Sequence, residues 1–152
     1  MTSRIVLLLL LLLAVPARAD QSAPVSFGRS EITIATLGGP RFHFSIEVAE
    51  TAEQLHQGLM FRDAMAEEAG MLFLLGTEEV ASFWMRNTFL PLDMLFITRD
   101  GHIANIHRNA APGSTAIITS TAPVVAVLEL NAGVTGRLGI HAGDRVIHPA
   151  FH

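Results

Sequence analysis

From Arg41 to Ala49 the chain alternates without a break. Phe42, Phe44, Ile46 and Val48 fall on one side, and His43, Ser45 and Glu47 on the other. A period of two marks a half-buried β-strand. Upstream, Glu31 to Thr36 also alternates and is β-branched at Ile32, Thr33, Ile34 and Thr36, with Gly38-Gly39-Pro40 between the two runs. Together they predict a hairpin. Thr51-Ala52-Glu53-Gln54 has the spacing of a capping box, in which the Thr51 hydroxyl accepts the backbone N–H three residues on and Gln54 reaches back. A short helix to about Gly58 follows, burying Leu55 and Leu59 and relying on the sheet for stability.

Gly70 to Leu75, Val80 to Met85 and Leu92 to Thr98 are further apolar strands. Asp100-Gly101 separates the last of them from Ile103 to Arg108, a strong signal for a tight hairpin with positive φ at both central positions. Val124 to Leu130 reads as a buried strand. One helical turn is expected near Thr135 to Leu138, ended by Gly139, and a final strand over Arg145 to His148. Seven to nine short strands with one clear helix, and no regular strand–helix alternation, predict a mainly β fold. Its form is an antiparallel β-sandwich or barrel-like sheet with one or two short helices.

The first residues follow a different pattern. Arg4 precedes an unbroken apolar run from Ile5 to Val15, then Pro16 and the small-x-small sequence Ala17-Arg18-Ala19. This is a secretory signal peptide cleaved after Ala19. The run falls short of the roughly 20 apolar residues that span a bilayer. The expected organisation is a signal over residues 1–19, a flexible leader over 20–30 and one domain over 31–152, periplasmic or secreted. Cleavage changes the charge: the loss of Arg4 and Arg18 leaves 8 basic against 14 acidic residues. That balance argues against nucleic acid or a membrane surface as partner. A small polar molecule or an envelope protein is the expected partner.

Composition narrows the chemistry. Cysteine is absent, so there is no disulfide, thiolate nucleophile or thiolate metal site. All ten basic residues are arginine, which removes lysine Schiff-base chemistry. No phosphate-loop, dinucleotide or His-Glu-x-x-His pattern occurs, and nothing around Ser114 resembles a nucleophile elbow. No cofactor is expected. Met60, Met65, Met71, Met85 and Met94 with a histidine offer soft ligands for copper, but each sits among Leu and Phe as an ordinary gap filler. His148 and His152 are four apart, but Pro149 opposes a helix there, so the C-terminus reads as a frayed tail.

The central stretch Ser82-Phe83-Trp84-Met85-Arg86-Asn87-Thr88-Phe89-Leu90-Pro91-Leu92-Asp93-Met94-Leu95-Phe96-Ile97 is unusual in composition. Gly58-Leu59-Met60-Phe61-Arg62 and Gly70-Met71-Leu72-Phe73 precede it. Val127-Leu128-Glu129-Leu130-Asn131-Ala132-Gly133, Gly139-Ile140 and Gly143-Asp144-Arg145-Val146 follow it. In this order and spacing the blocks resemble the domain-of-unknown-function 192 family over about residues 41–148. The resemblance implies a compact, mainly β domain, often secreted, with no established reaction.

Within these blocks the candidate ligand-binding residues are Arg62, Trp84, Asn87, Thr88, Asp93, Glu129 and Asn131. The only Trp offers a flat apolar wall, Asn and Thr offer donors and acceptors, and Asp adds charge, a mixture suited to a sugar or small metabolite. The plainer reading is a structured corner, with Asn87 and Thr88 serving loop backbone, Asp93 paired with Arg62 or Arg86, and Trp84 in the core. Glu129 lies in an otherwise apolar strand, so if buried it needs a partner, most simply an Arg, or a raised pKa. With Asp93 it would make a two-carboxylate acid–base pair. His107 either faces the same cavity or is exposed. Three functions remain: a binding domain, a hydrolase-like enzyme using Asp93 and Glu129, or a structural protein without a pocket.

Overall fold

The computed structural model describes residues 24–151, so the signal reading lies outside the described residues. Nine strands and two short helices form in chain order: β1 (Gly28–Ala35), β2 (Arg41–Ala49), α1 (Ala52–Gln57), β3 (Ala69–Glu79), β4 (Ser82–Phe83), β5 (Leu92–Ile97), β6 (Ile103–Ala110), β7 (Ile118–Thr119), β8 (Val124–Asn131), α2 (Val134–Leu138) and β9 (Arg145–Ile147). Seven strands make one curled sheet in the order β6-β5-β8-β3-β2-β1-β9, and β4 pairs with β7 outside it. The pairing is antiparallel except between β2 and β3, which run parallel. The crossover linking those two contains α1. The fold is thus mainly β and barrel-like as expected, with a mixed rather than purely antiparallel sheet.

The curl brings the two edges together at one corner. Ile103 N–H donates to Asp144 O, Gly143 N–H to Ile103 O and Val146 N–H to Gly101 O, all within 2.9 Å. Gly101 is required here: its φ is +84°, and a Cβ would lie 2.6 Å from Val146 O. The Asp100-Gly101 hairpin forms, but by a longer turn than expected. Gly101 N–H closes back on Thr98 O, and only Gly101, not Asp100, has positive φ. Asp100 instead accepts from the Thr98 hydroxyl and contacts His102, and these bonds hold its pKa down at about 2.

Three other expectations shift. β1 begins at Gly28, inside the expected leader, because Gly28 to Ser30 pair with Val48 to Ile46. The strand expected over Val80 to Met85 shrinks to Ser82–Phe83, because Met85 leaves the pairing to donate its N–H to Ser114 O. The C-terminus is not frayed through residue 151: the His148 ring bonds Ser30 Oγ at 3.1 Å, and Phe151 packs on the core.

Two apolar layers share the sheet. Inside the curl, Ile32, Ile34, Phe44, Ile46, Leu72, Leu95, Leu128 and Leu130 pack with residues from β6, α2 and β9. Outside it, Met71, Phe73, Met94, Phe96 and Val127 are covered by the segments 59–65, 81–90 and 110–118, which contribute Leu59, Met85, Leu90 and Ile118. β5 is therefore buried along its whole length. That double burial explains why its sequence reads as a continuous apolar run rather than an alternation.

Candidate functional site

β8 lies between β3 and β5, and register sets what flanks Glu129: Met71 on one side and Met94 on the other. Both methionines are fully buried, and Glu129 itself is 4% exposed. Its side chain is on the outer face of the sheet, with Val127, Met71 and Met94. None of the four ion pairs among the described residues includes it. Nor does it hydrogen-bond to a described residue, and it lines a cavity of about 390 Å³. Burial without a partner cation pushes its carboxyl up to about 8. The Arg–Glu bridge expected for this residue is absent from the described structure.

The cavity is built from three directions. β3 contributes Phe73 and Leu75; α1 and its exit contribute Leu55, His56, Gly58, Leu59 and Met60; the 82–88 segment contributes Ser82, Phe83, Trp84 and Thr88, with Ile117 opposite. The capping box fixes α1 as the sequence predicts: Gln54 N–H donates to Thr51 Oγ1, and Thr51 N–H donates to Gln54 Oε1. Gly58 then turns the chain at φ +45°, and a Cβ there would stand 3.0 Å from the Phe73 ring. Phe83 stacks edge-on between Phe73, at 5.3 Å, and Phe96, at 6.3 Å. Trp84 is 39% exposed at the rim, with the Arg86 guanidinium 4.4 Å from its ring.

Three of the seven sequence-derived candidates therefore meet: Trp84, Thr88 and Glu129. Four do not. Asn87 adopts φ +56°, a conformation Asn tolerates well, and sits outside the cavity, where its carbonyl accepts from Phe61 N–H. That turn is what sends Thr88 inward. Arg62 pairs with Glu47 and lies 5.5 Å from the Phe27 ring, beside a separate groove of about 610 Å³ that also touches Arg29, Glu31 and Ser45. Asn131 donates to Met65 O and Ala66 O, tying down the loop before β3.

Asp93 is the fourth. It faces Leu130 in register, so its side chain points to the inner face, away from Glu129. There it is fully buried and accepts from Asn109 N–H at 2.9 Å, Thr135 N–H at 3.0 Å and the Thr135 hydroxyl at 2.6 Å. Arg108 extends the network, donating to Thr135 Oγ1 and Ile140 O. Asp93 pairs with neither Arg62 nor Arg86, and the two-carboxylate arrangement is not formed. The face of the sheet separates the groups.

His107 is exposed on β6 and does not line the cavity. His148 has a pKa lowered by partial burial. Met71, Met85 and Met94 are fully buried in the outer apolar layer. Among the described residues no three His, Asp or Glu side chains group as metal ligands. No described helix is long and apolar enough to cross a membrane. The lining residues that sequence reasoning missed are mostly apolar, among them Leu55, Leu59, Phe73, Phe83 and Ile117, with His56, Gln57 and Ser82 as polar exceptions. Phe73 was within reach, since Phe73 and Met71 alternate together. Assigning them to the face of Glu129 required knowing that β3 and β8 are neighbours.

No curated protein matches the chain. Solved structures do, two of which follow. A protein from Sinorhizobium meliloti 1021, described as a “putative transcription regulator”, shares 46% identity and a TM-score of 0.82 over 85% of this chain and 100% of its own. A protein of unknown function from Novosphingobium aromaticivorans DSM 12444 shares 40% identity and a TM-score of 0.78 over 87% and 94%. The sequence profile of domain of unknown function 192, described as Uncharacterized ACR, matches residues 33–148, and the chain belongs to this family.

Proposed function

We propose that this protein is an exported small-molecule-binding domain whose site is the Glu129 cavity. The observation that carries the reading is a single unpartnered carboxyl at the base of an otherwise largely apolar, aromatic-walled cavity of about 390 Å³. A volume of that order suits a metabolite-sized ligand. Among the described residues Glu129 is the one acid on the lining, which favours binding over a two-carboxylate hydrolysis. The walls favour a ligand with an apolar body and one polar head over the uniformly polar sugar that the sequence suggested. Export rests on the pattern of residues 1–19, and mass spectrometry of the mature protein should give an N-terminus at Asp20.

Transcription regulation, the role named for the S. meliloti relative, is less well supported here. Beyond residue 19 the chain carries 8 arginines against 14 acids, and its described helices have 6 and 5 residues. Neither property suits entry into a DNA groove. The binding reading is tested by a thermal-shift screen of a metabolite library against the wild type and Trp84→Ala. Compounds that stabilise the wild type should lose most of their effect in the variant. A folded variant with an unchanged hit profile would overturn the proposal.

A further inference from the structure

Resting on the assignment of the Glu129 cavity as a binding site, we infer that its ligand carries a cationic amine head on an apolar body. Among the described residues Glu129 is the cavity's only acid, and no described cation pairs with it. Glu129 is 4% exposed and lies between Met71 and Met94 in register, where a carboxylate is an expensive group to keep without a counterion. An ammonium or guanidinium entering the cavity supplies that counterion and a charge-assisted hydrogen bond.

The surroundings select for the same charge. Phe73, Phe83 and Trp84 all line the space, and aromatic ring faces attract cations, although the Arg86 guanidinium already stands over Trp84 at the rim and leaves Phe73 and Phe83 as the available rings. The Ser82 and Thr88 hydroxyls can accept the amine's remaining N–H groups. An anion would meet Glu129 head-on. A polyhydroxylated ligand would find few polar partners along Leu55, Leu59 and Leu75. The apolar body belongs against these leucines and Ile117. The other titratable group on the lining is His56, at the end of α1. When protonated it would oppose a cation, so its contribution must be separated from that of Glu129.

The test uses three probes with one aromatic body and different heads: 2-phenylethylammonium, 2-phenylethanol and 3-phenylpropanoate. Trp84 is the only Trp in a chain without Tyr, so its fluorescence reports directly on the cavity rim. At pH 8 the ammonium should bind about tenfold or more tightly than the alcohol, and the propanoate least. At pH 7 calorimetry in buffers of different ionisation enthalpy should show about one proton released per ammonium bound, because the acid must ionise to pair. His56→Asn should keep that proton count. Glu129→Gln should abolish the ammonium's advantage while leaving the alcohol within about twofold of wild type. If the ammonium is no tighter than the alcohol, or keeps its advantage in Glu129→Gln, the amine assignment falls and the binding site stands. If none of the three probes binds the wild type, the site itself falls with it.

Discussion

Asp93 and Glu129 are buried acids on neighbouring strands, one register step apart, and the fold treats them in opposite ways. Asp93 turns into the curl of the sheet, where two backbone N–H groups and the Thr135 hydroxyl converge on its carboxylate. Glu129 turns outward between two methionines and meets only a cavity. The hydrogen-bonded acid is structural: it joins β5 to β6 and to the start of α2, at the corner where the chain leaves β8. Glu129 makes no such link among the described residues, and that is why the proposed site is placed on it. Both side chains end in a carboxyl, and both are buried. The donors around each acid separate scaffold from site.

The largest effect expected from this contrast is on stability. Asp93→Ala leaves three donors without their acceptor in a dry layer, and should cost about 3–5 kcal/mol, read from urea midpoints. Glu129→Gln removes no partner and should change stability by less than about 1 kcal/mol near pH 4, where the acid is neutral in the folded chain and mostly so in the unfolded one. Equal losses for the two variants would erase the distinction.

pH separates the acids further. The folded-state pKa of Glu129 is raised from 4.5 to about 8 by burial, so between those values the folded chain holds a proton that the unfolded chain has released. The sign follows: stability falls as pH rises from 4.5 towards 8 and levels off above it, by at most about 1.4 kcal/mol per pH unit from this group. Other groups titrate in this range, so the measurement is the difference between wild type and Glu129→Gln across pH 5 to 9. The variant should lose this fall. A carbon-13 titration of the Glu129 carboxyl should place its midpoint near 8.

Much of the fold was legible in the sequence. Alternation in Arg41 to Ala49 marked β2, the Thr51–Gln54 spacing marked α1, and the apolar runs marked β3, β5 and β8. Glu129 stood out because a charge in such a run requires an explanation. Strand order was not legible, since alternation reports a strand's two faces but not its neighbours. For that reason Arg62, Asn87, Asp93 and Asn131 looked like companions of Glu129 when they are near it only along the family blocks. A one-residue difference in register decided Asp93: opposite Leu130 it faces inward, whereas opposite Glu129 it would have faced the cavity. Asn87 takes a positive φ at a turn whose carbonyl accepts from Phe61 N–H, and it does not line the cavity.

The smallest effect repeats the contrast in a pair of threonines. Thr135 and Thr88 are both buried, at 0% and 6% exposure. The Thr135 hydroxyl donates to Asp93 at 2.6 Å and accepts from Arg108 Nε at 3.0 Å. The Thr88 hydroxyl makes one long bond, 3.4 Å, to Arg86 O, and otherwise faces the cavity. Replacement by Val keeps the volume and removes the hydroxyl. Thr135→Val should cost about 1–3 kcal/mol, because it strips one donor from Asp93 and an acceptor from Arg108. Thr88→Val should shift the unfolding midpoint by about 0.5 kcal/mol or less, since so long a bond contributes little. Its effect belongs in binding: 2-phenylethylammonium should bind the variant more weakly while the fold is unchanged. A stability loss at Thr88 as large as that at Thr135 would mean that the cavity wall is scaffold too, and the division drawn from the two acids would not extend beyond them.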